Sequence, residues 1–116
     1  MAAFTLDKLL ILDRLGGDEE IFAMMIDMYL QDVDNYCTCL DKAYAAGDMA
    51  TLQREAHTVK GLLSTFADDE GTAMSFTLEQ QIKSSGMGDF AAPIAALKQR
   101  LHDVAAVLRV EQAGQA

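Results

Sequence analysis

The sequence has no tryptophan, a single proline (Pro93) and only two cysteines, Cys37 and Cys39, in 116 residues. Proline breaks a helix interior, so its scarcity leaves long stretches free to be helical. Long strands would want more β-branched residues than are present. On a helix the two cysteines fall about 200° apart around the axis. They cannot pair with each other and make a poor metal clip, so they read as free thiols in a reducing cytosol. Basic residues are few: nine Lys and Arg stand against eighteen Asp and Glu, a net charge of −9. Such a chain repels phosphate backbones and anionic lipid, which argues against nucleic acid or a membrane surface as partner. No apolar run approaches the ~18 residues that cross a bilayer. The start, Met1-Ala2-Ala3-Phe4-Thr5, lacks the charged segment and cleavage site of a secretory signal. Enzyme signatures are missing too: there is no phosphate loop of the GxxxxGK type, no GxGxxG turn and no HExxH. Di-metal bundles carry Glu-x-x-His pairs, but Arg54 stands three residues before His57 and Gln99 three before His102.

Apolar residues make up 51% of the chain and charged residues 23%, enough for a packed core in one domain spanning 1–116. Four punctuation points divide it: Gly16-Gly17 with Asp18 as N-cap, Gly47-Asp48, Asp68 to Gly71, and Ser84 to Asp89. Between them the rhythm is helical. Phe90, Ile94, Leu97, Leu101, Val104 and Leu108 step by fours and threes, with Pro93 near the first turn, where a missing amide hydrogen costs little. Leu52, Ala56, Val59, Leu63 and Phe66 do the same after Asp48. The segment from about Ile21 to Ala46 lines up Phe22, Met25, Tyr29, Val33 or Tyr36, Leu40 and Ala43. A weaker segment, about Asp69 to Ser85, offers Met74, Leu78 and Ile82, and a short helix from about Leu6 to Leu15 opens the chain. Short loops make successive helices antiparallel neighbours. The expectation is an all-α, antiparallel up-down-up-down four-helix bundle with a short additional N-terminal helix.

One helix face stands out. Arg54, His57, Lys60, Gly61 and Ser64 follow one another at helical spacing and form a basic strip in an acidic protein. His57 points to the side of the apolar stripe. Glycine inside a helix costs roughly 1 kcal/mol relative to alanine, so Gly61 needs a reason: either a neighbouring helix packs against it, or it clears space over the imidazole for a partner. If the chain turns near Asp68, His57 and Glu79 lie level, eleven residues before and after it and each about 16 Å from the turn. Glu79 is then a candidate to accept from the imidazole Nδ1–H and leave Nε2 free as a nucleophile, with Lys60 beside any phosphoryl group there. The plainer reading pairs Glu79 with Lys83 at i+4. The two readings are compatible.

These residues resemble the histidine-containing phosphotransfer (HPt) domain family of bacterial phosphorelays. Ala56-His57-Thr58-Val59-Lys60-Gly61 is similar to that family's AHxLKG motif, and Leu78-Glu79 to its later Leu-Glu pair at the same distance. Leu15-Gly16-Gly17-Asp18-Glu19, Ala43, Gly47-Asp48 and Leu52 also fit, so the resemblance covers nearly the whole chain. It implies that His57 carries the phosphoryl group, Lys60 stabilises it, Gly61 lets a receiver domain approach and Glu79 orients the imidazole. Arg54 and Ser64 become partner-binding candidates, and Lys83 a candidate second basic contact. The resemblance further implies a phosphoryl carrier rather than a stand-alone enzyme, working with receiver domains of a hybrid sensor kinase or a response regulator. Those receivers supply Mg²⁺, and the chain needs no cofactor or metal of its own. A cytoplasmic monomer is expected, and Met1 with no linker favours an independent protein. The rivals are a non-catalytic helical adaptor using the same surface and a metal-dependent bundle; the retained His57-Lys60-Gly61 set and the missing ligand pairs argue against them. Two positions depart from the pattern. Ala67 stands where glycine is common, although a left-handed helix end suits alanine less well. Leu62 and Leu63 are bulkier than usual, and Leu62 is expected as an exposed part of an apolar docking patch.

Overall fold

The computed structural model describes residues 3–85 and 88–114. Five helices account for nearly all of them: α1 (Lys8–Arg14), α2 (Glu19–Ala45), α3 (Met49–Thr65), α4 (Asp69–Ser85) and α5 (Ala91–Gly114). Of the fourth punctuation point, Gly86 and Met87 lie outside the described residues. Each of the first three helices starts on an aspartate that accepts from the backbone amide three residues on: Asp7 from Leu10, Asp18 from Ile21 and Asp48 from Thr51. This satisfies one of the amides that a helix start leaves without an intrahelical acceptor.

The same three helices end in one way. The chain turns through a left-handed residue, and the following amide bonds back to a carbonyl five residues earlier. Gly17 N–H reaches Leu12 O at 2.7 Å, Asp48 N–H reaches Ala43 O at 3.0 Å, and Asp68 N–H reaches Leu63 O at 2.9 Å. The left-handed residues are Gly16, Gly47 and Ala67, the last at φ 57°. Alanine therefore adopts the conformation that glycine takes at the other two ends, at a cost of about 1 kcal/mol.

Connections this short force antiparallel neighbours. Contacts along α2 and α5 run in opposite directions: Tyr29 Oη donates to Leu101 O, Lys98 pairs with Asp41, and Tyr44 Oη meets Asp89. Helices α2, α3, α4 and α5 pack in a ring, each against the next, and α1 lies against α2. This is the expected up-down-up-down bundle. Arg14 Nη1 donates to Ser64 O at 3.3 Å, which ties α1 to the end of α3.

The core differs from the expected stripes in places. Along α2 the buried set is Phe22, Ile26, Tyr29, Val33, Cys37, Leu40 and Ala43. Met25 and Tyr36 only flank it. Along α4, Gly71 and Ser75 are buried with Leu78 and Ile82, and Met74 is half-buried. A Cβ on Gly71 would collide with the Asp68 carboxylate and with Leu63, so the close packing of α4 against the turn and the end of α3 requires this glycine. Helix α1 is shorter than expected, and Phe90 lies just before α5 rather than within it. Leu62 is half-buried against the core rather than exposed.

The turn between α3 and α4 is pinned from across the bundle. Asp68 and Arg100 are both 3% exposed. Arg100 Nε donates to Asp68 Oδ2 at 2.9 Å and Nη2 to Oδ1 at 2.6 Å, a two-pronged match of guanidinium to carboxylate. Glu70 also lies 3.5 Å from Arg100 Nη1. Asp68 is thus a buried structural group as well as a turn residue.

Candidate functional site

With both ends of α3 fixed, its outward face has a defined register against α4. His57 Nδ1 lies 3.1 Å from Glu79 Oε1, as the equal spacing from Asp68 predicts. The other carboxylate oxygen, Oε2, lies 3.0 Å from Lys60 Nζ. One carboxylate therefore joins the histidine and the lysine. The His57 side chain is 66% exposed, Lys60 24% and Glu79 13%. A shielded carboxylate thus supports an imidazole that stands in solvent.

Burial pushes the Glu79 carboxyl up, but the ammonium of Lys60 and the hydrogen bond with His57 outweigh it, so the group titrates below its ordinary range. At neutral pH it is a carboxylate, which only accepts hydrogen bonds. A neutral imidazole can then satisfy it only by donating from Nδ1. That choice of tautomer puts the lone pair on Nε2. Nε2 has no hydrogen-bond partner among the described residues.

Gly61 sits one turn after His57. A Cβ built there meets nothing within 4 Å, so no neighbouring helix requires this glycine. Of the two readings, packing against another helix is excluded, and clearance beside the imidazole remains. Ser64 is exposed two turns on, and its carbonyl takes the bond from Arg14. Arg54 turns away: its Nη2 donates to Thr51 Oγ1 at 3.1 Å, near the Asp48 cap. Lys83 is exposed on the last turn of α4 and makes no ion pair with Glu79 among the described residues. The structure thus brings together His57, Lys60 and Glu79 beside Gly61, and leaves Arg54 and Lys83 outside that group. It adds Phe76, 49% exposed on α4, whose ring centre is 5.2 Å from Lys60 Nζ. The sequence signal for it was an aromatic residue off the apolar stripe, one turn before Glu79. No group of three or more His, Cys, Asp or Glu among the described residues is placed to hold a metal ion. Cys37 and Cys39 are free thiols, the first in the core.

A solvent-facing histidine, oriented by a carboxylate and flanked by a lysine and an open glycine, is chemically able to pass a small group between surfaces. A family model of the Hpt domain matches residues 24–107. The chain belongs to the Hpt domain family. A histidine phosphotransfer role in phosphorelays follows from that membership. The fold of an Hpt domain recurs in solved structures. The histidine-containing phosphotransfer protein B (HptB) of Pseudomonas aeruginosa PAO1 superposes with a TM-score of 0.84 at 20% identity, covering 97% of each chain. The HPT domain of a Shewanella sensor hybrid histidine kinase superposes with a TM-score of 0.79 at 17% identity, covering 94% of each chain. Among the curated proteins no sequence matches this Hpt domain.

Proposed function

We propose that His57 is the residue that carries the phosphoryl group. The observation behind this reading is the His57 Nδ1–Glu79 bond at 3.1 Å, which directs Nε2 outward on a largely exposed ring. In the forward step the Nε2 lone pair attacks the phosphorus of an aspartyl phosphate on a receiver domain. The N–P bond forms as the acyl-phosphate P–O bond breaks, and the receiver's aspartate leaves as a carboxylate. The ring keeps its Nδ1 proton and becomes positively charged, and Glu79 accepts that proton's hydrogen bond throughout. Transfer to a second receiver reverses these bond changes on a new aspartate.

Lys60 supplies positive charge beside the phosphoryl group, and Gly61 gives a receiver domain room to approach. Ser64, Arg54 and Lys83 flank this surface as candidate receiver contacts. The receivers belong to a hybrid sensor kinase or a response regulator. They contribute Mg²⁺ and most of the catalytic groups, and this chain acts as a cytoplasmic monomer with no cofactor of its own. No helix among the described residues is long and apolar enough to cross a membrane.

Incubation with a phosphorylated receiver domain tests the reading. The expected product is an acid-labile, alkali-stable phosphoryl group on the wild type and none on His57→Gln. Equal labelling of the two proteins, or no labelling of the wild type by any cognate receiver, overturns it; binding without labelling would return the chain to the adaptor class.

A further inference from the structure

Lys60 is held from two sides. Its ammonium lies 3.0 Å from Glu79 Oε2 and 5.2 Å from the centre of the Phe76 ring. Phe76 and Glu79 are three residues apart on α4 and so present side chains on one face, a turn apart. An ammonium over an aromatic face is attracted by the negative face of the ring. An exposed aromatic needs no explanation by itself. Here, however, its ring forms the second wall of a cradle for the end of a flexible four-carbon stem.

We propose that Phe76 is a positioning residue for phosphoryl transfer: its ring and the Glu79 carboxylate together fix the Lys60 ammonium at the edge of the His57 site. This rests on the reading of His57 as the phosphoryl carrier. Two chemical demands make the placement useful. A bare carboxylate beside an imidazole favours the charged ring, which has no lone pair on Nε2 with which to attack. An ammonium on the second carboxylate oxygen works against that without breaking the bond that orients the ring. The incoming phosphoryl group is also anionic, and a cation already held nearby needs no reorganisation when it arrives. Without the ring, Lys60 keeps one partner and spends more of its time in solvent. Both effects then weaken together.

The test is single-turnover transfer from a phosphorylated receiver to Phe76→Leu and Phe76→Tyr, each made in the wild type and in Lys60→Met. Phe76→Leu is expected to slow the saturating rate roughly two- to five-fold, the range of an exposed cation–π contact. The half-saturating receiver concentration stays unchanged. Phe76→Tyr, which keeps the ring face, retains the wild-type rate. In the Lys60→Met background Phe76→Leu makes no further difference. An unchanged rate in Phe76→Leu overturns the proposal. So does an equal loss in both backgrounds, or a raised half-saturating concentration at unchanged rate, since each means that the ring touches the receiver rather than the lysine. A second measurement needs no phosphate chemistry. The Lys60 ε-methylene protons should be shifted upfield by the ring in the wild type and in Phe76→Tyr, and not in Phe76→Leu. Absence of that shift overturns the placement even if transfer is normal. A wild type that shows the shift but takes no phosphoryl group overturns the transfer role for His57 and Phe76 alike.

Discussion

Asp68 and Glu79 lie eleven residues apart, and each carboxylate holds a cation from another helix. The difference is in what surrounds them. Asp68 and Arg100 are both sealed in the interior, matched atom to atom by two hydrogen bonds. Glu79 is largely shielded but not sealed, Lys60 is partly covered, and His57 stands mostly in solvent. Similar chemistry thus serves geometry in one place and reactivity in the other. An ion pair out of water is strong only if complete, so it fixes a structure. One at the boundary can share its charge among partners and leave a neighbouring atom available.

Breaking each pair separately gives the largest contrast. Asp68→Ala removes the two-pronged partner of a buried guanidinium and leaves Glu70 at its edge, and the expected loss is up to about 3–5 kcal/mol of folding stability, read by urea denaturation. Glu79→Gln keeps a side chain that can accept hydrogen bonds and leaves no fully buried charge, so it should cost clearly less stability than Asp68→Ala while slowing phosphoryl transfer. Equal destabilisation by the two substitutions would erase the distinction.

The glycines beside these carboxylates sharpen it with opposite signs. Gly71→Ala forces a methyl group into Asp68 and Leu63, and a loss of about 1–3 kcal/mol is expected. Gly61→Ala meets open space within a helix, and a gain of up to about 1 kcal/mol is expected. Gly61→Gln should keep the fold and slow transfer, because the longer side chain fills the approach to the imidazole. A Gly61→Gln protein with an unchanged rate would show that the open space there is not used by a receiver.

The smallest effect is in pH. The Glu79 carboxyl titrates lower in the folded chain than its ordinary value of 4.5. Its contribution to stability is therefore fully present above the unfolded value and is lost as pH falls through the folded one. The stability difference between wild type and Glu79→Gln should shrink as pH falls below about 4.5. A difference that grows below that pH would mean that the interactions of Glu79 do not favour its ionised form.

The register of the site was legible because it follows from helix arithmetic: two regular helices about one turn place residues at equal distance side by side. The histidine, lysine, glycine and glutamate were legible because their spacing is that of a helix face. The buried half of the comparison is less legible. In the sequence Asp68 reads as a turn residue, the usual place for an exposed aspartate, and Arg100 shares a face with Leu97, Leu101 and Val104. An arginine on an apolar stripe signals a carboxylate partner, and the sequence does not say which. Gly71 and Ser75 are hidden for a different reason: a contact made by small residues leaves no mark in the pattern of large apolar ones. On α2, Met25 and Ile26 are adjacent, and hydrophobicity alone could not choose which of them faces the core. Arg54 belonged to the right face by spacing, but a closer acceptor, Thr51, decides where its guanidinium points.

The open ground around His57 has a consequence for timing. The ring stands in solvent, and the Glu79 carboxylate is committed to Nδ1 and to Lys60. It is therefore not placed to activate a water molecule against a phosphoryl group on Nε2. A carrier built this way does not use Glu79 to hasten its own unloading. How long it stays loaded is set by how often it meets a receiver with an unoccupied aspartate, so the lifetime of the signal it holds should follow the abundance of its partners.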